Sequence, residues 1–127
     1  MKRAGLLHPE LNDAISRLGH TDTFVIGDAG LPVPPQVRRI DLAVVLGVPA
    51  FVDVLDAILA EVVVEGAVVA SEAATSPAGA LLAERLPQAE QVPHDQLKQL
   101  TAAARFVVRT GESTPYANVV LRCGVPF

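Results

Sequence analysis

Five side chains in this sequence have the chemistry to move protons on a small molecule or to hold its hydroxyl groups: His20, Asp28, His94, Tyr116 and Asn118. They lie in three short blocks, "GHTDTFVIGDAGLP", "PHDQ" and "PYAN". Imidazole exchanges protons near neutral pH. A carboxylate accepts from hydroxyls, a carboxamide both donates and accepts, and a phenol offers its hydroxyl or its ring face. Together they make an acid, a base and a set of hydroxyl-binding groups. Each also has an ordinary structural use. A histidine after a helix can donate to the last carbonyls. An aspartate between glycines forms turns. A histidine in a first helical turn can serve the helix end, and a tyrosine in a turn can simply pack.

Other chemistries lack their residues. There is no GxxxxGK[ST], no GxGxxG after a strand and no GxSxG. The histidines at 8, 20 and 94 share no short ligand spacing, so no metal site is expected. Cys123 is the only cysteine, which excludes an internal disulfide and reads as a small buried hydrophobe. Net charge is −4 and the longest basic run is Arg38-Arg39, so no nucleic-acid partner is expected. Glu112 and Arg122 read as surface or interface charge, and His8 as solvated or capping.

The elements that must position these groups fit one domain of 127 residues. Half of the residues are apolar and only 19% are charged. The most apolar stretch, "LAVVLGVPAFV", is interrupted by Gly47 and Pro49. It is too short for a bilayer, which needs about 20 apolar residues. The first residues carry no long apolar run before Glu10, so no signal peptide is expected. A cytoplasmic chain that buries apolar surface against copies of itself is the remaining reading. The ending "GVPF" makes Phe127 a candidate anchor for that contact.

Pro9 followed by Leu11, Ala14, Ile15 and Leu18 predicts a first amphipathic helix, with Gly19 as its left-handed stop. "TFVI" reads as a buried strand and "LPVPPQ" as a rigid loop. "RIDLAVVLG" reads as a second strand, alone or with its exit turn. Phe51, Val54, Leu55, Ile58 and Val62 mark a second helix, and "VVVEGAVVA" a strand covered on both faces. Ser76 and Pro77 open a third helix. "AEQVP" is a short strand, and residues 94–104 form a fourth helix. "RFVVRTG" and "NVVLRCG" are the last strands, placed for an antiparallel pair. The alternation predicts an α/β domain, a largely parallel sheet with helices on both faces. In such sheets ligands bind where strands end.

The blocks "SRLGHTDTFVIGDAGLPVP", "RIDLAVVLGVPAFVDVLDAI", "PHDQLKQLT" and "RTGESTPYANVVLRCGVPF" together resemble the D-ribose pyranase family, a relative of the fucose mutarotases, nearly end to end. The resemblance implies a cytoplasmic sugar isomerase without cofactor, which interconverts the pyranose and furanose forms of D-ribose. It implies homopentameric rings paired into decamers, with sites between neighbouring subunits. The family's proton donor falls on His20, and its sugar-binding residues on Asp28, His94, Tyr116 and Asn118. Residues 71–92 look shorter than in many relatives and read as lying away from the site. "DAGLP" and "PYAN" differ from the fucose branch and favour ribose. The other readings are a fucose or other sugar mutarotase and a non-catalytic sugar-binding subunit of uptake.

Helix ends divide the labour in this reading. A histidine just past a helix C-terminus suits a proton donor, and one at an N-terminus suits an acceptor. A question of distance remains. A strand rises about 3.3 Å per residue, so a straight strand holds His20 and Asp28 too far apart for one sugar. Either the chain bends, or the two residues serve sites shared with a neighbouring subunit.

Overall fold

Apolar residues that alternate along β1 (Thr23–Gly27), β5 (Phe106–Arg109) and β6 (Val119–Cys123) send side chains to both faces of one sheet. Phe24, Ile26, Phe106, Val108, Val119 and Leu121 enter the larger core, while Val25, Val107 and Val120 enter a second, smaller one. The computed structural model describes residues 1–127. With β2 (Arg38–Asp41), β3 (Val64–Ala70) and β4 (Glu90–Val92), it forms a six-stranded sheet in the order β2-β5-β1-β6-β3-β4.

Helices cover both faces, as the alternation predicts. The larger core is closed by α1 (Pro9–Ser16), α2 (Phe51–Leu59) and α3 (Pro77–Arg85). Leu97 of α4 (His94–Leu100) and the loop residues Leu31 and Val37 close the other. Side chains cap two helices: the expected Ser76 Oγ accepts from the N–H of Ala78, and His8 Nδ1, read as solvated or capping, accepts from that of Leu11. No helix is long and apolar enough to cross a membrane.

Pairing is parallel except at β6, which runs antiparallel to both neighbours, β1 and β3. The last two strands do not pair with each other. β1 lies between them, so the loop that joins them crosses the end of β1. That crossing carries "PYAN" over the exit of the first strand.

Three local expectations change. The helix α1 ends at Ser16 with Arg17 as its cap, and the left-handed residue is Thr21 (φ 68°), not Gly19. The strand in "RIDLAVVLG" stops at Asp41, and the apolar remainder is a loop on the surface. Val44 and Leu46 there are 76% and 77% exposed. Of "VVVEGAVVA", only Val69 and Ala70 are buried, so the strand is covered on both faces only at its exit end.

Candidate active site

The exit ends of the parallel strands gather the polar loops. β1 ends before Asp28, β3 before Glu72, β4 before His94 and β5 before Thr110 and Glu112. Because β6 runs the other way, the residues that lead into it, Tyr116 to Asn118, lie at this same end.

Asp28 and Asn118 interlock. The Asp28 N–H donates to Asn118 Oδ1 at 2.9 Å, and Asn118 Nδ2 donates to Asp28 Oδ2 at 2.9 Å. The other carboxylate oxygen accepts from the Gly30 N–H at 2.9 Å, so Asp28 is also the turn former its neighbours imply. Asn118 is fully buried. The pair needs Gly27: a Cβ there would lie 2.5 Å from Leu31 Cδ2 and 2.9 Å from Asn118 Oδ1.

Tyr116 holds a left-handed backbone (φ 64°), an unfavourable conformation for an aromatic residue and of the kind that gathers at functional sites. Its ring meets that of His94 edge-on, with centroids 5.2 Å apart. His94 Nδ1 is buried and has no protein partner. A buried ring nitrogen without a partner is a hydrogen-bonding position left open. Asp28, Asn118, Tyr116 and His94 thus stand at one end of the sheet.

A carboxylate that the sequence left unassigned, Glu72, holds part of this arrangement. The helix α4 has Pro93 at its cap position and no capping side chain of its own. Glu72 serves instead, its carboxylate accepting from the His94 N–H at 2.9 and 3.2 Å. The Ser71 hydroxyl and then this N–H hold the Glu72 carboxyl below its ordinary range. Ser76, in the same segment, donates to the Pro115 carbonyl at 2.7 Å and fixes the loop before Tyr116. Residues 71–92 therefore touch the site rather than lie away from it. Glu112, read from the sequence as surface or interface charge, has a defined role within the chain: its carboxylate accepts from the N–H groups of Phe51, Ser113 and Thr114 and caps α2. A helix start with no Ser, Thr, Asp or Asn is the one signal in the sequence that such an acceptor is needed.

His20 is elsewhere. It lies before β1, so the strand separates it from Asp28; five residues at about 3.3 Å each span about 17 Å. It also follows the end of α1 by four residues, and its one side-chain hydrogen bond goes to Glu65 rather than to a carbonyl of that helix. Its neighbour is Glu65 of β3, with His20 Nε2 donating to Oε2 at 3.0 Å. Arg122, an exposed charge as the sequence reading has it, binds the second oxygen of Glu65 at 3.1 Å. Cys123 is buried as expected, and burial pushes its thiol up, with Asp22 and Glu65 adding to the effect. No three His, Cys, Asp or Glu side chains are grouped to hold a metal ion.

Known proteins share this architecture and sequence. The chain is 56% identical over 127 residues to the D-ribose pyranase of Cutibacterium acnes, with both chains fully covered. It is 57% identical over 129 residues to the D-ribose pyranase 1 of Rubrobacter xylanophilus, again over both whole chains. The structure of Bacillus subtilis RbsD complexed with D-ribose superposes with a TM-score of 0.94 at 42% identity, covering all of both chains. The fucose mutarotase of Streptococcus pneumoniae, in complex with L-fucose, shares the fold at a TM-score of 0.82 and 20% identity, over 95% of each chain. A family model matches residues 1–126, and the chain belongs to the RbsD / FucU transport protein family.

Proposed function

We propose that this chain is a cofactor-independent isomerase that interconverts β-D-ribopyranose and β-D-ribofuranose. Full-length identity to D-ribose pyranases supports the reading, as does the fold shared with a ribose complex. The observation that carries it is the group at the sheet's exit end. A carboxylate and a carboxamide are locked together beside a tyrosine and a buried, unpartnered histidine nitrogen. Such a set binds adjacent hydroxyls and exchanges a proton, which is all that ring opening requires.

In the proposed reaction His20 gives a proton to the ring oxygen as the bond from that oxygen to C1 breaks. The anomeric hydroxyl gives its proton to His94, and its oxygen becomes the aldehyde carbonyl. For the furanose, the C4 hydroxyl attacks C1 and loses its proton while the carbonyl oxygen regains one. Asp28, Asn118 and Tyr116 hold the remaining hydroxyls.

His20 stands at the far end of β1, so it serves the site of a second copy in this reading. The protein is then a cytoplasmic homo-oligomer, with five-membered rings that pair into decamers. Exposed apolar residues support assembly: Leu46 at 77% and Phe127 at 99% are more than a lone chain gains by showing to water. Magnetisation-transfer NMR on D-ribose tests the function. His20→Ala should lose about 10²- to 10⁴-fold in catalysed exchange while light scattering still shows the oligomer. Wild-type exchange in that variant overturns the acid assignment. Selective enhancement for L-fucose overturns the substrate, and a monomer at micromolar concentration overturns the assembly.

A further inference from the structure

The backbone beside His20 is fixed with unusual care for an exposed turn. Thr21 is β-branched yet left-handed (φ 68°), a strained conformation that only surrounding contacts sustain. Its N–H donates to the Cys123 carbonyl at 2.9 Å, and the Gly19 N–H donates to Asp22 Oδ2 at 2.8 Å. Those bonds place the turn but leave the imidazole free to rotate. What stops the ring is Glu65.

Glu65 is aimed there by a fault in the sheet. Val64 pairs with Cys123 and Gly66 with Arg122, so Glu65 is the extra residue of a bulge. Bulges redirect side chains and recur beside active sites. Two neighbours keep the redirected carboxylate in place. Arg122 Nε donates to Oε1 at 3.1 Å and sets the carboxylate plane. Gly124 lets the chain lie close against the stem of Glu65, since a Cβ there would sit 3.2 Å from Glu65 Cβ, while Oε2 would be at an ordinary 3.6 Å. Nearby, Asp22 at the entry to β1 pairs with Arg105 at 2.9 Å, and Glu90 lines the same cavity as Glu65 and Arg122. The histidine and glutamate side chains are 53% and 34% exposed, so the pair adds little to stability. A bulge, a strained turn and a glycine gap are more than such a weak pair needs for folding.

We infer that Glu65 is a positioning residue for His20, holding Nε2–H so that Nδ1 is the nitrogen that exchanges a proton with the sugar. The inference rests on the reading of His20 as the acid. With Nε2–H held by the carboxylate, the proton given to the ring oxygen leaves from Nδ1, and the same nitrogen regains it on ring closure. The neutral ring between those steps keeps its proton on Nε2. A carboxylate partner of this kind fixes both the tautomer and the orientation of a histidine.

The test compares the wild type with Glu65→Gln and Glu65→Ala, by D-ribose exchange and by ¹⁵N spectra of histidine-labelled protein, with His20→Ala assigning the signal. Glu65→Ala should lower kcat about ten- to a hundredfold, the scale of a misplaced reacting group, with KM unchanged. Glu65→Gln, whose amide oxygen still accepts from Nε2–H, should fall between it and the wild type. The neutral His20 ring should carry its proton on Nε2 in the wild type and share it between both nitrogens in Glu65→Ala. Wild-type kcat in Glu65→Ala, or an unchanged tautomer, overturns the inference. Should the wild type itself show no ribose exchange, the substrate reading fails, and the tautomer spectra alone decide the role of Glu65.

Discussion

At the exit end of β1, Asp28 and Asn118 trade two hydrogen bonds, and Asn118 is wholly buried. At the entry end, His20 has one side-chain contact, and its side chain is 53% exposed. The exit end is preformed: Asp28 and Asn118 are paired before any sugar arrives, and His94 Nδ1 is the buried side-chain atom left without a partner. The entry end is aimed but open. A binding surface gains from being preformed, because ordering costs fall before the ligand binds. An acid that must reach a substrate on another copy is necessarily exposed in the isolated chain. The contrast locates the two proposed halves of one site on two surfaces of the same molecule.

The sharpest way to break that comparison is to separate the halves. His20→Ala and Asp28→Asn chains, each nearly inactive alone, can be co-expressed and purified as mixed oligomers. If each site draws one half from each of two copies, about a quarter of sites regain both intact halves by random assortment. Catalysed D-ribose exchange should recover to that scale. No recovery in mixed oligomers shows that both residues serve a site within one chain.

A smaller effect is expected within the exit network itself. Asn118→Ala removes the two bonds that Asn118 makes to Asp28, so a part-buried N–H and one carboxylate oxygen lose their partner at about 1–3 kcal/mol, while Gly30 still holds the other oxygen. Thermal unfolding should register that loss, and sugar affinity should fall with it. Gly27→Ala sharpens the point without altering a hydrogen-bonding group, because its methyl would crowd Asn118 Oδ1 and Leu31. It should weaken ribose binding by displacing the pair. Unchanged affinity in Gly27→Ala would mean that the interlock does not shape the binding surface.

The sequence reading and the structure agree where local periodicity decides. The helix with Leu11 and Ala14, the strand "TFVI" and the cap at Ser76 all follow from neighbours within a few residues. The blocks "GHTD", "DAGLP" and "PYAN" also marked the candidate residues, through resemblance and not spacing. What stayed hidden depends on distant partners. Glu72 reaches the start of α4 from 22 residues away, and Glu112 the start of α2 from 61. Nothing near either helix names its acceptor. The bulge at Glu65 arises from register with β6, which only the assembled sheet sets. The apolar run after Asp41 misled for a related reason. Hydrophobicity marks what will be covered, and in the isolated chain Val44 and Leu46 have no cover.

Glu112 gives the smallest and most specific of these effects. Burial raises its carboxyl, but the N–H groups of Phe51, Thr114 and Ser113 outweigh that and hold it below the ordinary glutamate value of 4.5. A carboxyl lowered by folding stabilises the protein above its unfolded value, and the contribution is lost as pH falls through the folded one. Glu112→Gln should therefore be less stable than the wild type at neutral pH by about 1 kcal/mol, the usual scale of a lost cap. The gap should close as the pH drops below 4.5 and the wild-type carboxyl gains its proton. Unfolding midpoints of both proteins across that range check it. Exchange of ribose should change little, because the Glu112 backbone carbonyl still accepts from the Ala29 N–H and keeps the loop after Asp28 in place. A gap that is constant with pH would mean that Glu112 acts by shape alone, and that the exit end owes nothing to its charge.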